Sequence, residues 1–191
     1  MKICFTGHRA KALCGYRRES YHAFVHELKN LILQLYATQG ATVFYSGGAQ
    51  GFDQLAFWAV AHAKLEHPEI QNNLILPDQF FHMRWPENSC FGQHDFATMC
   101  RYADSIQYAA PKNTTGVRYL FVRNHMLVDQ SDAIIGLYTG TDDWKNSLTK
   151  GGTAECLRYA WNAGKRVMLL NTEKTDRLCL TGVSLVQPQW P

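Results

Sequence analysis

Three times along this chain a short run of β-branched and aromatic residues ends at a glycine-bearing loop. Each loop opens a stretch whose apolar residues recur every three to four positions. A strand period giving way to a helix period through a tight loop is the pattern of βα units, whose strands align in parallel with helices on the faces. The strands are read at Lys2 to Thr6, Thr42 to Ser46, Leu74 to Pro77, Ser105 to Tyr108, Ala133 to Tyr138 and Val167 to Leu170. Tyr21, Phe24, Leu28, Ile32 and Leu35 mark one face of a long first helix that Gly40 is placed to end. Further helices are read from Leu55 to Ala63, Gln93 to Ala103, Gly116 to Val128 and Thr153 to Ala163, the last followed by Gly164 as its cap. The expected fold is α/β, a Rossmann-like three-layer sandwich with a mostly parallel central sheet.

No Pro/Gly/Ser-rich linker divides the 191 residues, so one domain over 1–191 is expected, with a core of about 1–170 and a C-terminal extension over 171–191. Residues Asp78 to Gly92 are polar and aromatic and read as a long loop with helical turns. The six cysteines form no C-x-x-C pair and the N-terminus is strand-like, which points to a reducing, cytoplasmic setting. Apolar runs stay far below the roughly 20 residues that cross a bilayer, so no membrane association is expected. The net charge of +3 is spread along the chain, which suits an anionic small molecule better than a nucleic-acid backbone.

In a parallel sheet every strand-to-helix loop opens on the same side, so the loops after strands one, two and five are expected to bring Gly7, Gly48 and Gly152 around one electropositive hollow. Helix starts there offer unpaired N–H groups and a positive dipole end, and together these make an anion site. After strand one, Thr6-Gly7-His8-Arg9 supplies a hydroxyl, an imidazole and a guanidinium, with Arg9 the natural charge partner; its plain alternative is a turn with a solvated arginine. After strand two comes Ser46-Gly47-Gly48-Ala49-Gln50-Gly51-Phe52-Asp53, which is neither a Walker A loop nor a G-x-G-x-x-G fingerprint. Asp53 caps the helix or holds a ribose hydroxyl, ammonium or amide group of a ligand. In Gly151-Gly152-Thr153-Ala154-Glu155, Thr153 caps or binds phosphate, and the helix dipole alone explains Glu155. Arg123 and Asn124 are weaker candidates, because a charged helix pair is more often a solvated face. His22 and His26 are four apart on a helix without a third ligand in sight, so neither a metal nor a cofactor is expected.

Taken together these motifs, with Val128-Asp129-Gln130-Ser131-Asp132 after the Arg123-Asn124 helix, resemble the SLOG superfamily, in its YpsA/YoqJ-like branch of small bacterial and phage proteins, over roughly residues 1 to 170. The resemblance implies a Rossmann-like fold and a nucleotide or nucleotide-derived ligand. It also brings in the LOG phosphoribohydrolases, which use Gly-Gly-x-Gly-Thr-x-x-Glu. Aligning Gly152-Thr153 with their Gly-Thr step puts Cys156 in the place of the catalytic Glu and Glu155 one residue early, a rotation of about 100° on a helix.

The leading expectation is therefore a sensor or sequestering protein for a nucleotide or ADP-ribose-like molecule. The alternative is an N-glycoside hydrolase using Glu155 or Asp53. Single-stranded DNA, bound by the DprA-like members of the superfamily, ranks third, since the aromatic residues follow core periodicity instead of interleaving with Lys and Arg. A homodimer is expected from the association common among SLOG-like proteins.

Overall fold

Alternation along the first strand, β1 (Lys2–Gly7), assigns the two faces of the sheet. Ile3 and Phe5 pack with α1 (His22–Gln39) and α2 (Phe52–Glu66), while Cys4 joins the cluster under α4 (Arg118–Asp129) and α5 (Gly152–Asn162). The computed structural model describes residues 1–140 and 142–186. Its remaining elements are β2 (Val43–Ser46), β3 (Gln71–Leu76), α3 (Gln93–Tyr102), β4 (Ser105–Tyr108), β5 (Ala133–Leu137), β6 (Arg166–Lys174) and β7 (Leu178–Val186).

The strands form one sheet in the order β4-β3-β2-β1-β5-β6-β7, parallel from β1 to β6 and antiparallel only at β7. This is the expected Rossmann-like α/β architecture. Chain direction reverses beside β1: the first four strands run outward on one side of it and β5 starts on the other. With right-handed crossovers, that reversal moves α4 and α5 to the opposite face from α1 and α2. Central β5 reads Ala-Ile-Ile-Gly-Leu and is buried throughout, as a strand covered on both faces must be. Gly40 ends α1 in the left-handed region at φ 63°, its N–H donating to Tyr36 O.

One element departs from the sequence reading. Residues after Asn171, read as an extension, continue β6 to Lys174 and return as β7, which covers the edge of the sheet beside α1. Thr175 N–H donates to Arg177 O at the turn, and Leu180 N–H donates to Glu27 across to α1. Most of β7 is half-buried or exposed on both faces, so its sequence carries no clean period of two; only Leu178 is fully buried. Residues 187–191 of the expected extension lie outside the described residues. None of the helices among the described residues is long and apolar enough to cross a membrane.

Because Leu178 belongs to the main core, Leu178→Ala is expected to cost roughly 2 to 4 kcal/mol in urea unfolding. A strand that merely trailed from the surface would show no loss.

Candidate functional site

Where the strand order reverses, the loops after β1 and β5 part, and the crevice left at their C-terminal ends is the place this topology offers a ligand. A cavity of about 450 Å³ occupies it, between the β1 loop, the outer turns of α4 and the start of α5. Thr6, Gly7, His8 and Arg9 line one side, Arg123 and Asn124 the floor, and Gly151, Gly152 and Thr153 the far side.

Arg123 is the best-buried cation in this wall. Sequence alone makes Arg123 and Asn124 the weaker candidates, since a charged helix pair is more often a solvated face, but both are buried, at 5% and 7% exposure. The reason is Asp53, itself 6% exposed in the first turn of α2. Arg123 Nη1 donates to Asp53 Oδ2 at 3.1 Å and to Gly47 O. Ala49 N–H donates to the same carboxylate oxygen at 3.3 Å. The Nε–H of Arg123 has no partner among the described residues. One face of this guanidinium is thus fixed by protein while a buried donor is left over.

The second loop is largely scaffold for that pair. A Cβ on Gly47 would lie 1.5 Å from Arg123 Nη1 and 2.7 Å from Asp53 Oδ2, so glycine is required by the ion pair. Ser46 Oγ donates to Asp53 O and accepts from Gly48 N–H, and Gln50 Nε2 donates to Phe91 O. Gly48 abuts Leu76, Phe96 and Met99 and does not reach the cavity, in contrast to the expected meeting of Gly7, Gly48 and Gly152. Of the segment Ser46 to Asp53, Ala49 and Asp53 line the cavity, whereas Ser46, Gly47, Gly48 and Gln50 do not. Gly51 fastens the second loop to the first: its Cβ would sit 2.5 Å from Ala10 N, and Phe52 N–H donates to His8 O.

In the first loop, His8 stacks on Tyr138 with ring centroids 5.3 Å apart, and its Nε2 accepts from Thr139 N–H at 3.0 Å. That acceptor role assigns the proton to Nδ1. Burial lowers the His8 pKa below its ordinary 6.5, so the ring is neutral at pH 7. Arg9 is exposed, and its guanidinium lies over the Phe81 ring, 5.8 Å from the centroid. Burial lowers its pKa, Asp53 opposes that shift and Arg123 adds to it; an arginine remains cationic nonetheless.

At the start of α5 the arrangement differs. A Cβ on Gly151, at φ +122°, would meet nothing within 4 Å, and one on Gly152 would meet only Asn124 Nδ2 at 3.8 Å. The first helical bond is Glu155 N–H to Gly151 O, so the N–H groups of residues 152 to 154 have no partner within the helix. Lys150 stands beside them. Glu155 points elsewhere: Asn124 Nδ2 donates to its Oε2 at 3.2 Å and His125 Nε2 lies 2.7 Å from its Oε1. It therefore clips α5 to α4 outside the cavity lining. Cys156 is fully buried, and burial raises its thiol pKa well above the ordinary value, which rules out a thiolate there.

Several lining residues were not singled out from sequence. Val117 precedes α4, Leu120 and Phe121 lie in its first turns, and Tyr138 follows β5. Their signal was the helix opening after Gly116, close to the crevice edge. His22 and His26 lie in a separate groove with His62 and His94, and no three His, Cys, Asp or Glu among the described residues are placed to hold a metal.

The fold and this crevice define a Rossmann-like α/β protein with cationic side chains at its topological switch point. The family model described as YspA SLOG family matches residues 3–175, and the chain belongs to that family. It is similar to the SPbeta prophage-derived protein YoqJ of Bacillus subtilis (strain 168), 28% identical over 144 residues that cover 70% of this chain and 78% of YoqJ. UPF0398 protein BH1768 of Halalkalibacterium halodurans is 28% identical over 138 residues, 71% of either chain. Among solved structures, DNA processing protein A from Helicobacter pylori, described for its unique single-stranded DNA binding mode, superposes with a TM-score of 0.56 at 18% identity. That likeness covers 92% of this chain and 68% of the other, and it shows the shared fold.

Gly47→Ala is expected to break the Arg123–Asp53 pair and to cost about 3 to 5 kcal/mol in denaturant unfolding, as disrupting a buried ion pair does. Gly151→Ala has free space but a backbone at φ 122° and ψ 144° that residues with a side chain rarely adopt, and is expected to cost about 1 to 3 kcal/mol. The His8 ring is expected to titrate below 6.5 by NMR. Below that value the unfolded chain binds the proton first, so the His8 share of stability is complete above 6.5 and is lost as pH falls through the folded-state pKa.

Proposed function

We propose that this protein binds a phosphorylated small molecule of the nucleotide or ADP-ribose-like class in the switch-point crevice, acting as a sensor or sequestering protein. The observation that carries this reading is the buried Arg123 guanidinium with an unpartnered Nε–H, set between Arg9 and the open start of α5. A buried donor without a partner is costly, and an anion in the crevice satisfies it while meeting the free N–H groups of residues 152 to 154. The neutral His8 keeps a proton on Nδ1 for a ligand acceptor.

Binding is favoured over N-glycoside hydrolysis by the state of the carboxylates. Asp53 is the carboxylate in the cavity lining, and it is engaged by Arg123 and Ala49. Glu155 is engaged by Asn124 and His125 outside that lining. An oxocarbenium-like transition state needs a carboxylate near the sugar carbon, and here Glu155 lies outside the lining while Asp53 is held by its ion pair with Arg123. A second reading is single-stranded DNA, by analogy with the solved neighbour. It draws on Val117 and Phe121, which are exposed at the cavity mouth and offer stacking or apolar contact to bases. A homodimer is retained within the proposal; the open edge of β7, with exposed Leu185 and Val183, is its natural seam.

Thermal-shift and calorimetric titration with a panel of nucleoside phosphates and ADP-ribose tests the main reading. At least one ligand is expected to raise Tm. Arg9→Ala is expected to weaken binding by about tenfold or more, the loss of one charged hydrogen bond. No stabilisation by any phosphate compound, alongside a salt-dependent anisotropy change with oligonucleotides, would move the function to single-stranded DNA.

A further inference from the structure

A second cavity, of about 390 Å³, adjoins the first and shares Val117 and Leu120 with it as a common wall. Phe81 stands at the join: its ring lies 5.8 Å from the Arg9 guanidinium carbon and 6.0 Å from that of Arg123, and it lines the second cavity. Beyond it Phe80 and Met83 supply apolar wall partly open to solvent, and Arg84, Thr115 and Asp78 supply its polar lining. One ionisable side chain in this lining is deeply buried. Asp78, two residues past the end of β3, is 8% exposed. Its Oδ1 accepts from Phe80 N–H at 2.8 Å, and among the described residues Oδ2 accepts no hydrogen bond. A carboxylate oxygen only accepts, and this one is not shut away from solvent, so a donor entering the cavity can reach it.

We propose that the second cavity receives the heteroaromatic ring of the nucleotide whose phosphate lies in the first, and that Asp78 Oδ2 accepts from an N–H on the edge of that ring. This rests on the nucleotide reading above and adds the selection of the base. The two compartments differ in chemistry as the two ends of a nucleotide do: Arg9, Arg123 and the N–H groups at the start of α5 in one, and in the other aromatic and apolar walls with one deeply buried carboxylate, Arg84 being exposed there. Phe81 spans the change, giving one ring partners on its edge and face while Arg9 and Arg123 hold its other side.

Calorimetry with AMP, GMP, purine riboside 5′-monophosphate and ribose 5-phosphate decides it. Purine riboside 5′-monophosphate keeps the ring, sugar and phosphate but has no N–H on the outer edge of the base. The better of AMP and GMP is expected to bind about tenfold more tightly than it, the worth of one hydrogen bond to a charged acceptor. In Asp78→Asn the Phe80 N–H holds the amide oxygen in the place of Oδ1, which puts an NH₂ donor where Oδ2 stood; the gap is then expected to vanish while ribose 5-phosphate binds as before. Phe81→Ala is expected to weaken AMP and GMP more than ribose 5-phosphate. Equal binding of purine riboside 5′-monophosphate and both nucleotides, or a gap that survives Asp78→Asn, overturns the base assignment and leaves the nucleotide reading standing. Failure of all four compounds to bind overturns both.

Discussion

The ion pair between Arg123 and Asp53 ties together the two halves of this fold. Asp53 starts α2 on one face of the sheet, and Arg123 sits on α4 on the other, so their contact passes over the C-terminal ends of the strands. Charges at that depth are tolerated only when paired and hydrogen-bonded, and the pair draws in Gly47 O and Ala49 N–H to meet that demand. Gly47 has to be glycine to let the guanidinium past. Ser46 in turn secures the backbone of Asp53, and Gly51 and Phe52 lock this loop against residues 8 to 10. Much of the second glycine loop is the mounting for one cation.

That arrangement separates two uses of glycine that look alike in a sequence. In the second loop the missing side chains make room for other parts of the protein, whereas beside Gly151 and Gly152 the space is open. A backbone that approaches its own chain closely is rigid, and one that faces open space is accessible. The crevice thus has a fixed floor and an unfilled far wall, the combination that preorganised anion recognition requires.

The carboxylates follow the same logic. Glu155 and Asp53 are the acids a hydrolytic reading needs: Asp53 commits Oδ2 to Arg123 and Ala49 at the floor of the crevice, and Glu155 commits both oxygens to the seam between α4 and α5. Asp78 is buried as a residue and, among the described residues, has no ion-pair partner, its Oδ1 held by Phe80 N–H alone. The distribution of polar groups in the site, cations and N–H donors at one end and a deeply buried carboxylate at the other, supports a ligand with an anionic tail and a donor-bearing ring.

Periodicity in the sequence was enough to place β1 to β6, the five helices and the edge of the sheet at which the loops open, because these depend on burial repeating over neighbouring residues. The capping of α1 by Gly40, and Thr6 to Arg9 and Gly151 to Thr153 as segments facing a crevice, were legible for the same reason. Strand β7 was not, since an edge strand half exposed on both faces has no period to read. The inward turn of Arg123 was also hidden, because its partner lies 70 positions away and a helix face looks solvated until the residue that neutralises it is known. Likewise the roles of Gly47, Gly48, Glu155 and Asp78 were set by contacts between distant segments. Local pattern determined which elements form and where they point; only tertiary packing decided which polar groups were satisfied by the protein and which were left for something else.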